Sequence, residues 1–177
     1  MPRCPADHCK QMNSTIRAAV VLSIILGCVG CDQLTKAVAR DHLHPQETIS
    51  LLNDTVRLQH AENPGAFLSL GDELPSHARP IVFTFGGVLL VAGAAFWALR
   101  SQRLTSLQIA GAALVAAGGL SNLIDRVTQG GTVTDFLNVG IGPIRTGIFN
   151  GADMALMLGI AILVFGDGLA KRALPRR

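Results

Sequence analysis

Hydrophobic residues gather into four long blocks along the chain, Ile16 to Cys31, Pro80 to Leu99, Thr105 to Ile124 and Ala152 to Ala170, separated by stretches where polar and charged residues return. Each block approaches the roughly 17 to 25 residues that a helix needs to cross the hydrocarbon core of a bilayer. The pattern predicts a membrane α-helical protein with four transmembrane helices, at about 16–31, 80–99, 105–124 and 152–170, in a single integral membrane domain over 1–177. The first block resembles a cleavable signal peptide in length, but three more spans follow and leave little soluble protein to export, so it is read as a span.

The period changes between the blocks. In "TVRLQHAEN", Val56, Leu58 and His60 alternate with Arg57, Gln59 and Ala61, the period of a strand with one covered face. "TISLLND" is a weaker partner. The first connection, about 32–79, is therefore expected to hold a small antiparallel β-sheet, a cradle on the membrane surface, ended by a turn at "NPGAF" where Pro64 and Gly65 break the pattern. The second connection, about 125–151, carries "GG" at 130 and "GIGP" at 140. Irregular backbone is expected there, at the edge of a polar cavity, because such backbone survives near a membrane only when buried in protein or wet.

Composition supports this reading, with 49% of residues hydrophobic and only 15% charged, which argues against a soluble globular domain. Charge supplies the orientation. The N-terminal arm (Arg3, Lys10, Arg17), the short second link (Arg100, Arg103) and the tail (Lys171, Arg172, Arg176, Arg177) hold nine of the fifteen Lys and Arg. Short basic segments stay on the cytoplasmic side. Both termini are therefore expected inside, with the two long connections outside. The net charge of +3 is a topology signal, and no basic patch interleaved with aromatics suggests nucleic acid. Cys28 and Cys31 form a C-x-x-C pair, read as small packing residues with a redox pair as the alternative. Cys4, His8 and Cys9 lie on the far side of a helix more than about 20 Å long and cannot share a site with them.

Polar side chains concentrate at the outer ends of the spans. "CDQLTKAV" puts Asp32 and Lys36 at i and i+4, "GGLSNLIDRV" groups Asn122, Asp125 and Arg126, and "FNGAD" puts Asn150 three residues before Asp153, with Asp135 in the link between. Taken singly, each has a plain structural explanation: interfacial charges ending a helix for Asp32 with Lys36 and Asp125 with Arg126, turn chemistry for Asn63 and Gly65, a helix cap for Asp153, a solvated loop acid for Asp135. Their joint occurrence points to function, because a charged group at the centre of a span costs roughly 2.5 to 3.5 kcal/mol on insertion scales. Two carboxyls close enough to share a proton cannot both ionise cheaply, so one can take a proton from water while the other polarises a peptide carbonyl. No Ser, His and acid set converges at this level and no metal-ligand spacing such as H-E-x-x-H occurs. A pair of aspartates is the available engine. An ion or proton relay through Asp125, Arg126 and Asp153 is the rival reading, although these groups crowd one end rather than crossing the bilayer. "SIILGC" could also be a lipobox anchoring the chain itself at Cys28.

Five blocks together, "DQLTK" at 32–36, "NPGAF" at 63–67, "GGLSNLIDR" at 118–126, "TDF" at 134–136 and "FNGAD" at 149–153, resemble in order and spacing the signature of bacterial lipoprotein signal peptidases (signal peptidase II). The resemblance covers about residues 16–170. It implies an aspartic endopeptidase of the bacterial inner membrane, working near the periplasmic leaflet, that cuts diacylated prolipoproteins just before the lipid-bearing cysteine. It implies catalytic roles for Asp135 and Asp153, with Asp125 in reserve for Asp135. Asp32, Lys36, Asn63, Gly65, Asn122, Asp125, Arg126 and Asn150 are then implied to hold the site or the substrate. No metal or cofactor is implied, membrane lipid is a partner, and globomycin is the expected inhibitor. Two departures stand out: Phe67 falls one place earlier than in the usual N-x-G-A-A-F block, and Gly151, a poor helix former, suggests that the fourth helix starts after it.

Overall fold

The computed structural model describes residues 12–44, 47–65, 75 and 78–173, without the side chains of Pro80 and 167–173. Cys4, His8, Cys9, Phe67 and His77 lie outside the described residues. The chain runs α1 (Ser14–His42), β1 (Thr48–Leu51), β2 (Val56–Asn63), α2 (Ala78–Pro80), a π-helical turn (Ile81–Phe85) leading directly into α3 (Gly86–Arg100), α4 (Ser106–Thr128), β3 (Val133–Ile141), β4 (Ile144–Arg145) and α5 (Gly151–Ala173).

Among the described residues, three helices are long and apolar enough to cross a membrane: Ser14–His42, Ile81–Arg100 and Ser106–Thr128. A fourth apolar stretch, Gly151–Gly166, is shorter. The four expected blocks thus each form a helix. Helix α4 is the central one, its apolar stretch 61% buried against 11% for α1 and 6% for the second helix. A helix that leaves its Leu and Phe side chains outside, as α3 does with Leu89 and Phe96, suits a lipid surround rather than water. Helix α4 begins with a capping box in which Thr105 accepts from the Gln108 backbone and the Gln108 side chain accepts from Thr105. Near the other end of the bundle Arg17 is buried and its Nε donates to the carbonyl of Ala98 in the last turn of α3. It is thus tied into the packing rather than only a basic marker of the N-terminal arm.

Helices α4 and α5 share the most extensive contact, and glycines allow it. A Cβ on Gly118 would collide with the Ala152 carbonyl oxygen, and one on Gly159 would come within 2.6 Å of the Gly111 carbonyl oxygen. Small residues at such crossings let the backbones approach, which replaces the hydrophobic driving force that lipid cannot supply. This contact sets the depth of Ala152 and Asp153 beside Asn122.

The sheet departs from expectation. It has four antiparallel strands in the order β1-β2-β3-β4, so it draws on both long connections and not the first alone. The segment expected to be irregular is mostly strand, from Val133 to Ile141, and glycines bound it: Gly130, Gly131 and Gly142 have φ of 66°, 100° and 57°, conformations only glycine takes easily. Register places Leu58 opposite Leu137, then a bulge, then Ala61 opposite Asp135 and Asn63 opposite Val133. A bulge re-aims the side chains beyond it. Here those are Asn63 and its neighbours.

Helix α1 runs past its apolar part to His42, so Asp32, Lys36 and Arg40 sit on one continuous helix, as their i, i+4 spacing requires. Helix α5 starts at Gly151 and not after it. Asn150 caps it, its Oδ1 accepting from the Asp153 backbone N–H at 2.9 Å while the Asn150 backbone N–H donates to Asp153 Oδ2 at 3.3 Å. This reciprocal cap outweighs the poor helix propensity of one glycine.

Candidate active site

The structure brings all ten sequence-predicted site residues into one connected constellation where one end of the helix bundle meets the sheet. Asp135 arrives on β3 and Asp153 on the first turn of α5, both buried at 2% and 5% exposure. Asn150 links them: its Nδ2 donates to Asp135 Oδ1 at 2.6 Å while its Oδ1 holds the Asp153 backbone N–H. Asn63 donates to the other Asp135 oxygen at 2.8 Å, and its own Oδ1 takes the Gly65 N–H at 2.8 Å, closing the turn at Pro64. Asn122 donates to Asp153 Oδ1 at 2.9 Å.

Behind this layer lies a buried ion cluster. Lys36, fully buried, pairs with Asp32 at 2.7 Å and Asp125 at 2.8 Å and donates to Asn122 Oδ1 at 2.9 Å. Asp32 also takes the Ser121 hydroxyl at 2.7 Å and the Ala152 backbone N–H at 2.8 Å. Gln33 donates to Asp125 Oδ1 at 2.9 Å. Charges with several hydrogen bonds each can be buried; without them the desolvation penalty dominates. Reading Asp32, Lys36 and Asp125 as interfacial charges therefore fails, since all three are inside. The expected association of Asp125 with Arg126 fails too, because adjacent helical residues diverge. Arg126 instead reaches the carbonyls of Gly65 and Gly131 and lies over the Phe83 ring at 5.3 Å from its centroid.

A cavity of about 340 Å³ opens onto these groups. Asp135, Asp153, Asn63, Asn122 and Arg126 form its polar end, and Val82, Phe83, Leu90, Leu123 and Leu156 line its apolar walls. Two walls come from the π-helical turn, a widening of the helix that recurs at functional sites. Asp32, Lys36, Asp125 and Asn150 are absent from the lining and support the residues that are on it.

Burial pushes the Asp135 carboxyl up from 3.8 to about 6, and the charge of Asp153 adds to this, while the hydrogen bonds from Asn63 and Asn150 and the charge of Lys36 oppose it. Asp153→Asn is therefore expected to lower the Asp135 titration midpoint from about 6, by removing a like charge. Infrared titration of the carboxyl bands of the variant checks this, and an unchanged or raised midpoint would count against the two acids sharing a field.

Gln33, Ser121 and Thr134 belong to the network but were not among the candidates. Single neutral polar residues in or beside an apolar run carry no distinctive signal. Thr134 would have stood out had "TVTDF" been read as a strand, since its hydroxyl then faces away from Asp135.

The fold is that of known bacterial membrane enzymes. One solved by the in meso method at 2.3 Å resolution superposes over 95% of this chain and 96% of its own with a TM-score of 0.72 and 21% identity. Another, at 1.9 Å, gives a TM-score of 0.70 and 18% identity over 89% and 96% of the two chains. The family model described as signal peptidase (SPase) II matches residues 24–167. The lipoprotein signal peptidase of Syntrophus aciditrophicus is 34% identical over 75% of this chain and 82% of its own. That of Streptococcus pneumoniae is 31% identical over 84% and 92%, and that of Chlorobium phaeobacteroides 35% identical over 75% and 80%. The chain is thus a membrane-embedded peptidase, and it belongs to the signal peptidase II family.

Proposed function

We propose that this protein removes the signal peptide from diacylglyceryl-modified prolipoproteins, cutting N-terminal to the lipidated cysteine, with Asp135 and Asp153 as an aspartic dyad. The observation that carries the chemistry is the pair of buried carboxylates bridged by Asn150 at the polar end of a cavity whose walls are apolar. One carboxylate takes a proton from water as the water oxygen attacks the scissile carbonyl carbon; the other, protonated, donates a hydrogen bond to the carbonyl oxygen. The tetrahedral adduct collapses as the first carboxyl passes the proton it took from water to the cysteine nitrogen, the C–N bond breaks and the cysteine leaves as a free amine. Arg126, oriented by the carbonyls of Gly65 and Gly131, places its positive charge at the polar end of the cavity, in the field of both acids.

Lipid enters through the same geometry. The apolar walls accept acyl chains and an apolar signal segment, while the polar end takes the peptide bond at headgroup level. The orientation follows the basic residues, with both termini cytoplasmic and the site at the periplasmic side of the inner membrane. Helix α5, with 23 residues, is about 34 Å long, enough for a fourth crossing of a core of about 30 Å. Globomycin is proposed to bind in this cavity. An ion relay is disfavoured because Asp125 is locked to Lys36 and does not reach the cavity.

The decisive assay compares cleavage of one prolipoprotein with and without prior diacylglyceryl transfer. Cleavage of the lipidated form alone is the expected outcome, and equal cleavage of both would make this a general signal peptidase.

A further inference from the structure

Asp135 stands on a strand, whereas Asp153 stands on a helix cap, so catalysis by the pair requires the sheet to be registered against the bundle. Thr134, next to Asp135 in the chain and fully buried, uses each of its polar groups for that purpose. Its backbone N–H donates to Asp125 Oδ2 at 3.3 Å, on α4. Its carbonyl faces Asn150 Nδ2 at 3.5 Å, at the cap of α5. Its hydroxyl accepts from Arg40 at 3.1 Å, on α1, and donates to Glu62 Oε1 at 3.3 Å, on β2. Glu62 in turn accepts from the Thr132 hydroxyl at 2.6 Å and contacts His60 Nε2 at 2.9 Å. One residue thus ties β3 to three helices and to the strand beyond the bulge.

We infer that Thr134, with Arg40 and Glu62 on its hydroxyl, is the positioning junction that holds Asp135 in line with Asp153. The inference deepens the aspartic-dyad reading and rests on it. Thr134 does not line the cavity and touches no substrate there, so its effect passes through Asp135. Side chains alternate along a strand, and the hydroxyl pulls β3 from the face opposite to Asp135. A displacement of about 1 Å at a reacting group can lower rate about a hundredfold. Loss of one of several ties is expected to give less.

Thr134→Val keeps the shape and the strand preference and removes only the hydroxyl. Water can then serve Arg40 and Glu62, which are not fully buried. With a diacylated prolipoprotein as substrate, Thr134→Val is expected to lower kcat about tenfold with KM within about twofold, and Thr134→Ser to restore kcat to within about threefold. Glu62→Ala is expected to lower kcat similarly, and adding Thr134→Val to it to change kcat by less than about twofold, since both break one junction. If Thr134→Val reduces the yield of folded enzyme, Glu62→Ala and Thr134→Ser read the same split. A kcat within about twofold of the parent for both Thr134→Val and Glu62→Ala overturns the inference, as does a change confined to KM. Asp135→Asn run in parallel separates the two readings: an inactive Asp135→Asn beside a normal Thr134→Val defeats the junction alone, and an active Asp135→Asn defeats both.

Discussion

Asp135→Asn and Asp153→Asn are each expected to reduce turnover of a diacylated prolipoprotein by at least about a thousandfold while leaving the protein folded. General acid and base roles contribute about 10² to 10⁴ apiece, and a dyad cannot divide its work with one member missing. Folding should survive for reasons specific to each position. The Asp135 carboxyl titrates near 6 in the folded chain against 3.8 as its ordinary value. Ionising it therefore opposes folding: below about pH 4 both states are protonated and nothing is lost, and stability falls as pH rises toward 6, the full cost persisting above. Asp135→Asn removes that cost but leaves either Asn63 or Asn150 facing an NH2 group instead of an acceptor oxygen, a loss of about 1 to 3 kcal/mol that offsets the gain, so the variant is expected to stay folded at pH 7. Asp153→Asn keeps one amide oxygen for Asn122 or for the Asn150 N–H, at the loss of a helix-dipole contribution of about 0.3 to 1 kcal/mol. Cleavage measured beside thermal unfolding of detergent-purified variants checks both. Near-normal cleavage by either variant would remove that residue from the chemistry.

Lys36→Met is expected to be the most destabilising single change, by about 3 to 5 kcal/mol, because it strands two buried carboxylates around an apolar side chain. Asp32 would keep the Ser121 and Ala152 donors, and Asp125 would keep Gln33 and Thr134, but neither would keep a counter-charge. The effect should register as loss of folded protein, measured by size-exclusion yield and unfolding temperature. A folded Lys36→Met with only its turnover reduced would place Lys36 in the chemistry instead. Asp125→Asn belongs with this group: its contacts are to Lys36, Gln33 and the β3 backbone, so folded yield should fall before turnover per folded molecule does.

The two effects differ in kind because the site is layered. Groups on the cavity are held by hydrogen bonds from neutral donors, so an amide in place of a carboxylate forfeits one hydrogen bond but breaks no buried ion pair. Groups beneath them form an ion cluster whose members depend on one another, and this cluster binds α1, α4 and the first turn of α5 through Asp32 and Ala152. The helices it ties are those that deliver Asn122 and Asp153. Asn122 belongs to both layers, facing Lys36 on one side and Asp153 on the other.

Much of this was legible from the chain itself. Apolar runs of membrane length located the helices, since lipid demands self-satisfied backbone over a fixed thickness. The i, i+4 spacing of Asp32 and Lys36 determined their pairing, and the three-residue spacing of Asn150 and Asp153 set them side by side, because both follow from the geometry of a single helix. Alternation in "TVRLQHAEN" determined β2. These are local relations, and local sequence decides them.

What only the tertiary structure decided are relations between segments distant in the chain. Glycine density around 130 and 140 concealed β3, whose pairing with β2 depends on a register across about 75 positions. Asp125 turned from Arg126 to Lys36 because helix packing, and not adjacency, chose its counter-charge. Gly118 and Gly159 are unremarkable in an apolar run, yet they set how closely α4 and α5 approach. Thr134 looked like one more β-branched residue beside an acid until its hydroxyl met Arg40 and Glu62 from two other elements. The sequence nominated the residues proposed for the chemistry. Packing determined which of them face the cavity, because burial, counter-charge and strand register are properties of contacts that no single segment contains.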